Sequence, residues 1–476
     1  MPTFSEDLFF SSAVQLNGRL SAKEFSALEL ARAFSERLEK LGPRYNALAL
    51  SLREDALVQA KQVDKELKRG RTRGPLQGVP YAVKDLLSTA RRPTVWGAAP
   101  FAGQVFDEDA AVIRKLGKNG ALLIGKLAMV ELAGGGGYRY PSASVNGPGL
   151  NPWDRSRWSG GSSSGSASAV AAGLVPYALG SETNGSIVTP CAFCGVTGLR
   201  PSYGLVSRSG AMALAWTMDK IGPIARSAED CGHVLQAISG GDSADPGSAG
   251  KSFRFAPDLA PPLAGLRVGF APADFDVHAE SPLRAPLLAA LDVIRRITPQ
   301  LSAAELPDFP YSALASTIIS AEGSTVFADL IRSGRVDQLA DRRQIAGLRA
   351  GLTIPASAYL QAMRARRLVQ QSLTALFSSF DVLVSPARFS VAPGLAEALD
   401  RPAGPSTAGT PRGLRALVPA GNLAGLPALV LPCGFSNGLP VAISLVGRPF
   451  SENTLLKLGL AFQSATTWHT RRPQAS

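Results

Sequence analysis

Apolar residues recur at helical spacing through the first 70 positions. Phe25, Leu28, Leu30, Ala31, Phe34 and Leu38 fall close to one helix face, which Ser21 or Ser26 caps and Gly42-Pro43 stops. Residues 46–67 predict a second helix, ended by Gly70. The texture then changes. Residues 76–83 (LQGVPYAV) and 121–124 are short continuous apolar runs of the kind a buried strand shows, with a helical stretch over 109–118 between them. Later strands are predicted at 266–269, 381–385, 426–430 and 441–446, and helices at 286–298 and 359–380. Strands alternating with helices indicate an α/β class. No internal repeat and no domain boundary interrupts the chain, so 1–476 is expected to form one domain, with residues 1–70 as a helical segment packed on it.

From Gly134 to Gly210 the chain is dense in Gly and Ser. A flexible linker would look similar, but Val170, Leu174, Val175, Leu179, Ile187, Val196 and Leu199 interrupt it regularly. Small residues mixed with buried-type apolar ones predict backbone packed tightly around a site. With 45% hydrophobic and 18% charged residues, a wholly disordered chain is excluded. No run reaches the ~18 apolar residues of a membrane span. The start, MPTFSEDLFF, lacks the pattern of a secretory leader, and four cysteines make no disulfide scaffold. The expectation is a soluble, cytoplasmic protein. The net charge of +12 raises the question of nucleic acid, but basic clusters such as KELKRGRTR and RARR carry no interleaved aromatics, which argues against such a partner.

The scarce residues limit the chemistry. The three histidines, His233, His278 and His469, are far apart, and Cys191 and Cys194 form a C-x-x-C with no second pair, so no metal site is expected. No phosphate-cradling G-x-x-x-x-G-K-[ST] occurs; the run Gly134 to Gly137 reads as a close-packed turn. GSSSG at 161–165 fits the G-x-S-x-G elbow, with Ser163 attacking and His469 as its partner, although such matches arise by chance in Ser/Gly-rich sequence. Three other segments carry more. Lys84 follows an apolar run, which would place it at a strand end where burial lowers its pKa and frees the neutral amine as a base; this segment alone favours the plainer alternative, a surface lysine paired with an acid such as Asp85. WSGGSSSGSA around Ser162 and GSETNGSIVTP around Ser186 place serines after small, flexible turns, where a hydroxyl and backbone N–H groups can converge as acyl transfer requires.

Taken together, GPLQGVPYAVKD, ALLIGKLAMVELA, NPWDRSRWSGGSSSGSASAVAAGLVPYALGSETNGSI and FCGVTGLRPSYGLVSRSG resemble the amidase signature family, and NLAGLPALVLPCGFSNGLPVAISLVGRPF is similar to that family's C-terminal portion. The resemblance runs from about Ser12 to Pro473. It implies a single large domain with a mixed central sheet covered by helices on both faces. It also implies a serine nucleophile assisted by a second serine and a lysine. Residue by residue these are Ser186, Ser162 (the family's serine on a cis peptide) and Lys84, with backbone N–H groups of Thr183, Asn184, Gly185 and Ser186 as the oxyanion hole. No cofactor or metal is implied.

Several positions depart from the family pattern. Glu182-Thr-Asn-Gly-Ser-Ile-Val188 stands where many members have D-T-G-G-S-I-R, so position 188 offers no cation and Asn184 is expected to accept a left-handed backbone. Gly125 to Glu131 also departs from the usual G-K-T-N-M-x-E. These changes bear on the substrate rather than the reaction. The expected function is hydrolysis of a small-molecule carboxylic amide, with esters, anilides and carbamates as chemical relatives and self-association as a homo-oligomer left open. The alternative is the A subunit of the Glu-tRNA(Gln)/Asp-tRNA(Asn) amidotransferase, which releases ammonia from glutamine within a complex. The retained Lys84, Ser162 and Ser186 argue against a catalytically silent binding protein.

Overall fold

The computed structural model describes residues 4–276, 281–400 and 413–474. Ser12 caps a first helix, α1 (Ala13–Ser21), which the hydrophobic pattern did not indicate. Ser26 and Glu29 then form a reciprocal capping box that starts α2 (Ala27–Leu41). The stretch expected to be a second helix divides into strand β1 (Leu48–Ser51) and α3 (Arg53–Lys68). Its short apolar run fits either state, and antiparallel pairing with β3 (Leu122–Leu127) decides for strand. β2 (Pro80–Lys84) and α4 (Ala111–Lys118) lie between them in sequence.

The Gly/Ser-rich region is ordered. It contains a small hairpin of β4 (Leu150–Asn151) and β5 (Asp154–Trp158), then α5 (Ser164–Ala171), β6 (Tyr177–Glu182), α6 (Val188–Cys194), β7 (Thr197–Arg200) and β8 (Lys220–Ala225), followed by α7 (Ala228–Ile238). Nearly every side chain from 158 to 202 is buried, so small residues let helices and strands approach closely. The C-terminal half adds β9 (Val268–Phe270), β10 (Leu301–Ala303), β11 (Val382–Pro386), β12 (Ala428–Ser436) and β13 (Leu439–Gly447). Helices Arg284–Ile297 and Ala356–Ser379 match the expected 286–298 and 359–380 within a few residues.

Eleven strands form one mixed sheet in the order β1-β3-β2-β6-β8-β7-β12-β13-β11-β9-β10. β3, β2 and β6 run parallel, with Ala82 opposite Ala178 and Val83 opposite Leu179. That register brings the C-terminal ends of β2 and β6 side by side, where open α/β sheets place their sites. This is the α/β architecture expected from the sequence. No helix among the described residues is long and apolar enough to cross a membrane.

Candidate functional site

Lys84 is the last residue of β2 and is fully buried. Its Nζ lies 2.6 Å from Ser162 Oγ and 2.9 Å from Ser181 Oγ. Burial is the strongest influence on the amine and drives its pKa down to about 7, against the opposing pull of Asp219 and Glu182. Asp85 is not its partner. That carboxylate pairs with the buried Lys126 at 2.9 Å and accepts from Val95 N–H.

Ser162 follows a cis peptide from Gly161 and is buried just ahead of α5. Its carbonyl accepts from Val130 N–H at 3.1 Å. Gly160 has φ 87°, and a Cβ there would stand 2.7 Å from Pro190 Cα, so only glycine fits. Ser163 has a different environment. It is wholly buried, its Oγ accepts from Ser181 N–H and donates to Ser181 carbonyl, both at 3.2 Å, and it does not border the cavity that Ser186 lines. Its hydroxyl is therefore closed off, whereas the elbow reading needs it exposed to substrate. His233 packs edge-on against Phe255 and His469 lies in the turn Trp468–Thr470, and neither lines the cavity that Ser186 borders; His278 lies outside the described residues.

Ser186 sits two residues before α6, partly exposed, and its carbonyl accepts from Ser163 N–H at 3.3 Å. Among the described residues no hydrogen bond joins its hydroxyl to Ser162. The loop before it is fixed by Glu182. Oε2 of Glu182 accepts from the N–H groups of Ile187 (2.8 Å) and Val188 (2.9 Å), and Oε1 accepts from Arg200 Nη1 (2.7 Å) and Asn422 Nδ2 (2.8 Å). Burial would raise this carboxyl's pKa, but the Arg200 guanidinium and the donated hydrogen bonds hold it at about 2. Thr183 Oγ1 donates to the half-buried Asp219 at 2.6 Å. The left-handed residue of the loop is Gly185 (φ 91°), not Asn184, because only glycine takes that φ without Cβ strain. The backbone N–H groups of Asn184, Gly185 and Ser186 form none of the hydrogen bonds between described residues. Ser181, Asp219, Arg200 and Asn422 were not singled out from the sequence; Ser181, Arg200 and Asn422 lay within quoted segments without a role, and Asp219 lay outside them all.

Glu182→Gln is expected to destabilise the protein by about 3–5 kcal/mol, because it leaves the buried Arg200 without a counter-charge. Urea unfolding at pH 7 measures this. The carboxyl's pKa is depressed in the folded state, so its contribution is present above its ordinary value near 4.5 and fades as pH falls toward 2.

Ser186, Thr183, Asn184 and Gly161 line a cavity of about 480 Å³, with Gly134, Tyr138, Trp158 and Arg388 in its wall. The glycine run thus borders the site, and it is also a close-packed turn: a Cβ on Gly136 would meet the carbonyl of Gln344 at 2.4 Å. Val188 is buried and carries no charge, but the cavity has a cation in Arg388. Cys191 and Cys194 are buried in α6, and burial pushes both thiols far above their usual range, so neither is a nucleophile. No cluster of three or more metal-binding side chains occurs among the described residues.

A family model described as Amidase matches residues 29–456. The A subunit of the glutamyl-tRNA(Gln) amidotransferase of Moorella thermoacetica is 38% identical, over 98% of this chain and 99% of that protein. The solved peptide amidase of Stenotrophomonas maltophilia is 30% identical with a TM-score of 0.83, covering 98% of both chains. A second solved structure, reported as a vestigial protein complex that reveals the evolutionary origins of an s-triazine catabolic enzyme, is 29% identical with a TM-score of 0.86, over 98% of this chain and all of that one. The chain belongs to the amidase signature family, enzymes that act on carbon–nitrogen bonds.

Proposed function

We propose that this protein hydrolyses a carboxylic amide through an acyl-enzyme on Ser186, with Ser162 as proton relay and Lys84 as base. The observation that carries the reading is Lys84 Nζ, fully buried and 2.6 Å from Ser162 Oγ. With its pKa near 7, a large fraction of this amine is neutral at physiological pH and free to take a proton. Ser162 passes its proton to Lys84 and receives one from Ser186, and Ser186 Oγ attacks the carbonyl carbon. Rotation of the Ser186 hydroxyl toward Ser162 completes the chain when substrate fills the cavity. The tetrahedral oxyanion accepts from the N–H groups of Thr183, Asn184, Gly185 and Ser186, of which the last three donate to no other described residue. The relay then runs backwards and protonates the leaving nitrogen as the C–N bond breaks. Water adds to the acyl carbon by the same route and frees Ser186.

The second reading, a glutamine-dependent amidotransferase component, has the better support from sequence relatives, since two relatives of that name align over 96–98% of the chain at 37–38% identity. The site favours the first reading. Among the described residues the cavity has no carboxylate in its wall to receive the ammonium group of glutamine, and the family's arginine after the nucleophile is Val188 here. The deciding experiment incubates the isolated chain with aryl amides, fatty amides, peptide amides and glutamine, and measures release of amine or ammonia. Turnover of an aryl or peptide amide by the chain alone supports hydrolysis. Glutaminase activity that appears only with partner proteins establishes the amidotransferase instead.

A further inference from the structure

Arg388 has no counter-charge among the described residues. It lies in the loop after β11, accessible from the cavity, with its guanidinium carbon 5.8 Å from the ring centre of Phe193, and no described carboxylate pairs with it. The acids close to this wall in sequence are all engaged. Asp400 pairs with Arg343 (3.1 Å) and Arg139 (3.7 Å). Glu397 accepts from Gly394 N–H (2.8 Å) and pairs with Arg157 (3.7 Å), and Asp341 accepts from the N–H groups of Arg139, Tyr140 and Arg343. Residues 401–412, outside the description, contain no Asp or Glu. The wall is short of acceptors in a second respect: the buried indole N–H of Trp158 has none among the described residues. Arginine stays charged at any physiological pH. Arg388 is exposed to the open cavity, so its fork of N–H donors stands free there to pair with an anion that a ligand carries.

We propose that Arg388 determines substrate specificity by binding a carboxylate on the amide substrate, so that the enzyme prefers amides bearing a free acid and no neighbouring ammonium group. This deepens the hydrolase reading and rests on it. A planar guanidinium matches a carboxylate with two parallel hydrogen bonds, which a neutral isostere cannot form.

The test compares kcat/KM for glutaryl-4-nitroanilide, with its carboxylate on the acyl side, against pentanoyl-4-nitroanilide, and for an N-acyl-4-aminobenzoate, with the carboxylate on the amine side, against the corresponding anilide. The wild type is expected to favour the acid in one pair by about 30-fold or more, which identifies the side that reaches Arg388. Arg388→Gln should bring that ratio to within about 3-fold, and Arg388→Lys should restore part of it. Calorimetry gives a second readout without turnover: Ser186→Ala should bind the free acid of the favoured pair, glutarate or 4-aminobenzoate, and Ser186→Ala with Arg388→Gln should not. Ratios near one in both pairs for the wild type, or a preference that survives Arg388→Gln, would overturn the assignment. If no amide is turned over but one of the acids binds in an Arg388-dependent way, the hydrolase reading fails and the anion site stands.

Discussion

Ser186→Ala is expected to lower kcat/KM for the best amide by about 10³–10⁶-fold, the range seen when a serine nucleophile is removed from a preorganised site. The fold should persist. Ser186 is partly exposed and its hydroxyl holds no described neighbour in place, so the stability change should stay within about 0.5 kcal/mol. A fluorophosphonate should label Ser186 in the wild type, and mass spectrometry of the digested adduct identifies the residue. Ser163→Ala provides the contrast. Its Oγ both donates to and accepts from Ser181, so truncation should cost about 1–3 kcal/mol of stability by orphaning those backbone groups, with a far smaller loss of activity. An adduct on Ser163, or near-normal turnover in Ser186→Ala, would remove Ser186 from its role.

The strand-end position of Lys84 was legible from local pattern, but its burial was not: the same segment alone favoured a surface lysine, and the family resemblance decided against that. An apolar run of strand length ending in lysine puts that lysine at a strand end, and the parallel register with β6 does the rest. The choice between Ser162 and Ser163 was not legible from residue types alone, since both lie in the same polar run; the family resemblance selected Ser162, and the hydrogen bonds of Ser163 to Ser181 explain why the neighbour is occupied. Asp85 shows the reverse case. Adjacency in sequence suggested a partner for Lys84, but successive residues along extended backbone point to opposite sides, so Asp85 meets Lys126 of β3 instead. The Glu182 cluster draws Arg200 from 18 positions away and Asn422 from 240, and no periodicity encodes contacts of that kind. Arg388 is equally remote from Ser186 in sequence and joins it only because the sheet carries β11 and β6 to one cavity. In the N-terminal segment, β1 was hidden because four residues of mixed apolar character fit a helix as well as an edge strand.

Lys84→Met is expected to abolish the pH dependence of acylation together with most of its rate. In the wild type kcat/KM should rise with pH through an apparent pKa near 7, as the buried amine loses its proton, and the value belongs to the coupled relay rather than to one group. Without the amine the Ser162–Ser186 pair has no terminal proton acceptor, and a loss of about 10²–10⁴-fold follows from removing a general base. The same substitution gives a stability signature that a merely structural lysine would not. The folded pKa lies below the unfolded one, so between about 7 and 10.5 the unfolded chain binds the additional proton and wild-type stability rises with pH across that window. The methionine variant lacks this slope and should be relatively more stable than the wild type at pH 7 than at pH 10. Urea denaturation at the two pH values, alongside the pH profile of kcat/KM, separates the outcomes. A pH profile unchanged in Lys84→Met, or a limb near pH 6.5 that disappears when His233, His278 and His469 are replaced together, would assign the base to another group.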